Sequence, residues 1–201
     1  MMTLYWAPQS RAVTALWLME EAGRPYERVL VDIRNGKQDT ADYRAVNPMG
    51  KVPALKDGDV TLAETPAICA YVAERVPEAK LSPPPGEPAR ARFLYWLFFY
   101  SGCMEPAVTQ LVAKVDIPSS TAGWGDAARV FDALDDALKN APGPWLLGES
   151  FSAADVMIGS GLNFFTRGFK VVPPRPSFDA YIDRCMARPA FQRAMAIQPS
   201  A

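Results

Sequence analysis

The 201-residue chain contains no histidine. That zero removes Ser-His-Asp and Cys-His nucleophile pairs, HExxH zinc sites and every imidazole general base. Cysteine is scarce. Cys69, Cys103 and Cys185 stand far apart and are odd in number, so they form neither a Cys-x-x-Cys pair nor a disulfide framework. No metal is expected, and a reducing compartment, the cytoplasm, is the expected location. A surplus of positive charge is missing as well: Lys+Arg is 21 against Asp+Glu 22, with a pI of about 5.6. Little is left over to neutralise phosphates, so nucleic acid is not an expected partner. Long apolar runs are absent too. The longest uncharged one, Phe93 to Met104, has 12 residues, well short of the roughly 20 that a membrane span needs. The start, Met1 to Arg11, has no basic region followed by an apolar core, so no signal peptide is expected.

What is present is ordinary globular material, 49% hydrophobic and 21% charged. Proline is the exception, at 19 residues. Three of them stand together in Leu81-Ser82-Pro83-Pro84-Pro85-Gly86-Glu87-Pro88, which cannot continue a helix and favours a stiff, extended connection. The expected organisation is therefore a domain over 1–77, a Pro-rich linker over 78–88 and a second domain over 89–201.

Before the linker, strand and helix signals alternate. Thr3 to Trp6 reads as a short strand, and Arg11 to Ala22 as a helix stopped by Gly23. Tyr26 to Val31 is a second strand, and Asp39 to Val46 a short helix. Val52–Leu55 and Val60–Ala63 flank Lys56-Asp57-Gly58-Asp59, a hairpin signal. Thr65-Pro66 then opens a helix through Arg75, with Thr65 as its cap. The order is β-α-β-α-β-β-α. After the linker the pattern is helical: Glu87 to Val115, with Gly102 and Pro106 as kink points, then Asp126 to Asn140, a helix capped by Ser152-Ala153-Ala154-Asp155, Ser177 to Arg188, and Pro189 to Ile197.

Three pieces in this order and spacing carry a resemblance: Asn47-Pro48-Met49-Gly50-Lys51-Val52-Pro53-Ala54-Leu55, the helix start Glu64-Thr65-Pro66-Ala67-Ile68, and the Ser152–Asp155 box. The chain resembles the cytosolic glutathione transferase family over essentially its whole length. Its opening, Ala7-Pro8-Gln9-Ser10-Arg11, is similar to bacterial members with serine or cysteine after the first strand. The resemblance implies an α/β plus all-α protein, with a thioredoxin-like N-terminal domain followed by an all-helical C-terminal domain. It also implies glutathione as co-substrate, a small electrophile as second substrate, and a homodimer.

Residue roles follow from the same resemblance. Val52-Pro53 would be cis, with the N–H and C=O of Val52 pairing with the cysteinyl backbone of glutathione. Glu64 would take the ligand's amino group, and the Thr65 hydroxyl its γ-glutamyl carboxylate at a helix N-terminus, where serine is usual. Lys51 and Arg11 would assist the ligand's carboxylates. The thiol is the chemical problem. A thiol with pKa about 8.5 is only ~3% thiolate at pH 7, whereas a drop of about two units gives ~75% and needs about 2.7 kcal/mol. One hydroxyl aided by a helix N-terminus can supply much of that without histidine. Ser10 is the leading donor, although serine before a helix is also a plain cap. Tyr5 is the rival, and a site using neither stays open. Candidates to line a second-substrate pocket are Tyr5, Phe99, Cys103 and Met104. Conjugation is the leading activity. A glutathione-dependent peroxidase or disulfide reductase, or a non-catalytic binding protein, are the alternatives, although no cysteine lies between Ala7 and Arg11. Ser152 and Asp155 read as structural.

Overall fold

The computed structural model describes residues 1–197; residues 198–201, the end of the expected helical domain, lie outside it. Strand β1 (Met2–Trp6) leads into helix α1 (Ala12–Ala22), and β2 (Glu27–Leu30) runs parallel to β1. Helix α2 (Ala41–Val46), β3 (Ala54–Asp57), β4 (Val60–Ala63) and α3 (Thr65–Arg75) follow. The sheet order is β2-β1-β3-β4, with β3 antiparallel to both neighbours. The expected thioredoxin-like order is thus present. The hairpin turn is Gly58-Asp59, with Gly58 at φ +61° as the first central residue, a conformation that glycine adopts without a Cβ penalty.

Register decides what each face buries. Leu4 stands opposite Leu55, and Leu55 opposite Leu62. Alternation sends the next opposed pair, Tyr5 and Ala54, to the other face. There Tyr43 of α2 packs with Val31 and Ala54, beside the partly buried Tyr5, Ile33, Val46 and Val52. Helix α1 is buried at Ala12, at every position from Thr14 to Met19, and at Ala22. It ends at Gly23, whose left-handed φ of 69° lets its N–H reach the Met19 carbonyl.

The described chain groups into two compact units, one of residues 1–81 with those from Arg188 onward, the other Ser82–Ala187. Helix α9 (Pro189–Ala196), expected from its pattern within the helical domain, belongs instead with α1. The physical reason is a clasp. Phe191 meets Trp17 edge-on at 5.2 Å. Arg188 makes a two-pronged contact to Glu21, with its second nitrogen 2.7 Å from Oε2, and Trp17 donates to the same carboxylate at 2.9 Å.

The second unit contains α4 (Pro88–Phe99), α5 (Glu105–Ala113), α6 (Ala127–Lys139), α7 (Ala153–Asn163) and α8 (Pro176–Met186). The long helix expected over Glu87–Val115 runs through Ala113 with a π-turn at Tyr100–Met104, which contains Gly102; the Glu105 N–H bonds the Tyr100 carbonyl five residues back, and Pro106, which has no N–H to continue the pattern, follows directly. Tyr100 stacks on Phe165 at 6.1 Å, and its ring lies so close to Gly161 that a Cβ there would fall 2.1 Å from it. The capping box of α7 is complete. Asp155, 0% exposed, accepts from the N–H of Leu146 and of Ser152, from the Ser152 hydroxyl and from the Tyr181 hydroxyl, all at 2.8–2.9 Å. Among the described residues no helix is long and apolar enough to cross a membrane.

Asp155→Ala strands these buried donors together. It should lower stability by about 3–4 kcal/mol, seen as a fall in the urea unfolding midpoint; an unchanged midpoint would contradict a structural role for this carboxylate.

Candidate active site

The register gathers three loops. Tyr5, Ala54 and Ala63 stand side by side across β1, β3 and β4. The chain after β1, the turn before β3 and the start of α3 therefore leave the sheet at one end. These segments carry Ser10, Lys51–Pro53 and Glu64–Thr65.

After β1 the chain passes through buried Ala7 to Ser10, which is part-buried. The Ser10 hydroxyl donates to the Ala7 carbonyl at 2.7 Å and accepts from the Ala12 N–H at 3.1 Å. It therefore satisfies one of the unpaired donors of the first turn of α1. Its neighbour Gln9 holds a left-handed φ of 54° and accepts from the Arg34 guanidinium at 2.7 Å. Nothing in the chain pattern pointed to Arg34, because this contact spans 25 residues.

The Val52-Pro53 bond is cis. The Lys51 carbonyl just before it accepts from the Tyr43 hydroxyl at 2.6 Å and from the Asn47 side-chain amide at 2.7 Å. Asn47 in turn accepts from the Met49 N–H at 3.1 Å. Neither the N–H nor the C=O of Val52 has a partner among the described residues. Gly50 is needed here: its φ is +62°, and a Cβ would lie 3.0 Å from the Gln38 carbonyl. The Lys51 side chain is exposed.

At the start of α3 the expected cap is displaced by one residue. Glu64, not Thr65, holds the cap position, and the helix begins at Thr65. The reason lies in the backbone: the Ile68 N–H, which a capping Thr65 would take, already bonds the Glu64 carbonyl at 3.0 Å. Glu64 sits at φ 67°, ψ 112°, a sparsely populated conformation costing on the order of 1–3 kcal/mol. Its side chain is exposed and makes no cap bond; Thr65 is 9% exposed and its hydroxyl has no partner among the described residues. The helix thus starts with unpaired N–H groups and partial positive charge beside a hydroxyl, a setting that favours a carboxylate.

The remaining candidates differ in what they can offer. Tyr5 packs on Tyr43, ring centroids 5.9 Å apart, on the α2 face of the sheet. Phe99 is 8% exposed and packed between Tyr95 and Trp96. Met104 is 0% exposed, so this residue has no surface with which to line a pocket and serves as core. Cys103 is partly exposed, and desolvation raises its thiol pKa above the ordinary value. Burial pushes the Cys69 thiol up to about 12, so both stay protonated at neutral pH. Among the described residues no group of three or more His, Cys, Asp or Glu could hold a metal ion.

In the native protein Cys69 and Cys185 should not react with an aromatic disulfide reagent at pH 7, and Cys103 should react slowly, faster as pH rises. Rapid reaction of any thiol at pH 7 would reveal a nucleophile that this geometry does not provide.

The family model for the glutathione S-transferase N-terminal domain matches residues 1–74, and that for the C-terminal domain matches residues 89–184. Glutathione S-transferase 3 of Zea mays is 30% identical over 98% of this chain and 94% of its own length. Disulfide-bond oxidoreductase YfcG of Escherichia coli (strain K12) is 29% identical over 97% of this chain and 94% of its own. The structure of a sphingomonad glutathione S-transferase complexed with glutathione superposes with a TM-score of 0.79 at 30% identity, covering 96% of each chain. Matched by domain models across both units and by full-length relatives, the chain belongs to the glutathione S-transferase family.

Proposed function

We propose that this enzyme lowers the thiol pKa of glutathione and adds the thiolate to small, largely apolar electrophiles, as a serine-type bacterial member of its family. The observation that carries the reading is the unpaired Val52 amide and carbonyl, a strand-like edge suited to a peptide backbone. It shares one end of the sheet with the open N-terminus of α3. The cysteinyl N–H of glutathione donates to the Val52 carbonyl, and its C=O accepts from the Val52 N–H. Thr65 and the first turn of α3 hold the γ-glutamyl carboxylate, Glu64 the amino group, and Lys51 assists at a carboxylate. The sphingomonad relative with glutathione bound supports this ligand.

Ser10 is the thiolate's donor. Its hydroxyl proton now points to the Ala7 carbonyl, a neutral acceptor. A thiolate is a stronger acceptor, and charge-assisted bonds are roughly twice as strong as neutral ones, so the hydroxyl rotates to the sulfur when glutathione binds. The Ala12 N–H remains on the same oxygen and makes that hydroxyl a better donor. The thiol proton leaves to water, because no histidine is present to take it. The sulfur lone pair then forms the bond to carbon: on an aryl halide the carbon–halogen bond breaks and halide leaves with its electron pair, and on an enone the C=C π pair moves away from the attacked carbon into the enolate, which takes a proton from water. A second reading, glutathione-dependent disulfide reduction or peroxide reduction, is favoured by the likeness to YfcG; a substrate panel of aryl halides, enones, hydroperoxides and mixed disulfides separates the two.

Ser10→Ala should leave glutathione affinity nearly intact and raise the bound thiol pKa toward its free value. Turnover at neutral pH should fall roughly tenfold or more and recover partly with rising pH. Tyr5→Phe is the control and should leave the profile alone. The opposite pattern would move the donor's role to Tyr5, and unchanged activity in both would assign it to backbone N–H groups.

The enzyme acts as a cytoplasmic homodimer. The resemblance to the family supports this reading, and on α4 two exposed aromatic side chains, Tyr95 at 53% and Phe98 at 69%, stand one turn apart as surface that a partner subunit would cover. Light scattering at micromolar concentration should give a particle near twice 22.0 kDa; a monomer would refute it.

A further inference from the structure

The peptide group joining Lys51 to Val52 is bonded on one side only. Its oxygen takes two donors, at 2.6 and 2.7 Å, while its N–H takes no partner among the described residues. Both donors are fixed. Tyr43 is 6% exposed, and its ring is set against Tyr5. Asn47 is 3% exposed, and its own oxygen is engaged by the Met49 N–H, so its NH2 faces Lys51. Burial pushes the Tyr43 phenol up to about 12, which keeps it a donor throughout the neutral range.

Two donors on one carbonyl have two physical effects. They pin the plane of the peptide, because the two bonds arrive from different side chains on different chain positions. They also draw electron density toward the oxygen, and through amide resonance this leaves the N–H at the other end more positive. Hydrogen bonds chained in this way strengthen one another by perhaps 10–30% each.

We propose that Tyr43 and Asn47 are positioning residues for glutathione: by holding the Lys51 oxygen they orient and polarise the peptide whose N–H meets the ligand's cysteinyl carbonyl. This rests on the reading of Val52 given above and extends it to two residues that do not touch the ligand. The consequence is selective. Removing a donor weakens the bond to the cysteinyl carbonyl and leaves the contacts of Thr65, Glu64 and the thiol in place.

The test pairs a protein change with a ligand change. Tyr43→Phe removes only the hydroxyl. Asn47→Asp keeps the acceptor for Met49 and loses the donor to Lys51. The second ligand is a glutathione analogue whose cysteinyl–glycyl amide is replaced by a trans-alkene, which has no carbonyl for the Val52 N–H. Calorimetry with the full-length protein should show glutathione Kd rising about three- to tenfold in either variant, with the pKa of the bound thiol unchanged. The analogue binds the unaltered protein more weakly, and its Kd should change less than twofold in the variants. Equal losses for both ligands would mean that the variants merely loosen the loop, and would overturn the proposal. An unchanged glutathione Kd in a folded variant would overturn it as well. Should Asn47→Asp fail to fold, Tyr43→Phe decides alone, since the phenol is lost without leaving a buried charge. Failure of the unaltered protein to bind glutathione would overturn the functional reading itself, an outcome distinct from wild-type binding that the variants leave untouched.

Discussion

Helix α1 has Ala12, Ala15, Leu16, Trp17, Leu18 and Met19 within 2% of complete burial, and the N-terminal unit is arranged around that demand. A helix apolar on nearly all sides must be covered on nearly all sides. The sheet and α3 supply part of the cover, and α9 supplies more. Two carboxylates at its C-terminal end, Glu20 and Glu21, are then stranded beside apolar surface at the helix end that disfavours negative charge. Arg193 and Arg188 answer them from α9. The opposite end of the same helix carries the Ser10 turn. There the Ser10 oxygen is held by the Ala12 N–H of the same helix.

The proposed site is built from neutral donors. In that proposal, hydroxyls at Ser10 and Thr65, unpaired amides at Val52 and in the first turn of α3, and partial helix charge stand in for the imidazole that this composition lacks. Such groups do not titrate near neutrality. On the proposed reading, the pH behaviour of the chemistry belongs to the substrate's thiol and not to a residue of the protein. Charged side chains at this end of the sheet, Lys51, Glu64 and Arg34, are exposed, where water screens them.

Much of this was legible in the chain. Alternating apolar residues around Asp57-Gly58 gave the hairpin, because a turn and its two strands are local. The Ser152–Asp155 box announced α7 for the same reason. The cap of α3 was misplaced by one residue, since Glu64 adopts a positive φ that no propensity assigns to glutamate. The clasp of α9 was not legible because Glu21 and Arg188 stand 167 residues apart, and Glu20 and Arg193 stand 173, so no local pattern pairs them. Tyr43 was an unremarked helix residue for a related reason: its worth lies in a hydrogen bond to a carbonyl across a turn, and no side-chain pattern records where a carbonyl points. Gly102, expected as a kink point, does lie in the π-turn, but the burial of Met104 at the end of that turn comes from tertiary packing that the local pattern does not record.

The contact between Arg188 and Glu21 spans 167 residues, and it bears on how the molecule comes into being. A ribosome that has finished the N-terminal unit must add the whole helical unit before α9 exists. At 5–20 residues per second, adding Ser82–Ala187 imposes a delay on the order of five to twenty seconds. Throughout it the Trp17 side of α1 lacks its cover and Glu21 its guanidinium. The nascent chain therefore displays an apolar, acidic helix face that the finished protein never shows. Only the arrival of α9 removes this surface from the reach of chaperones and of other unfinished chains.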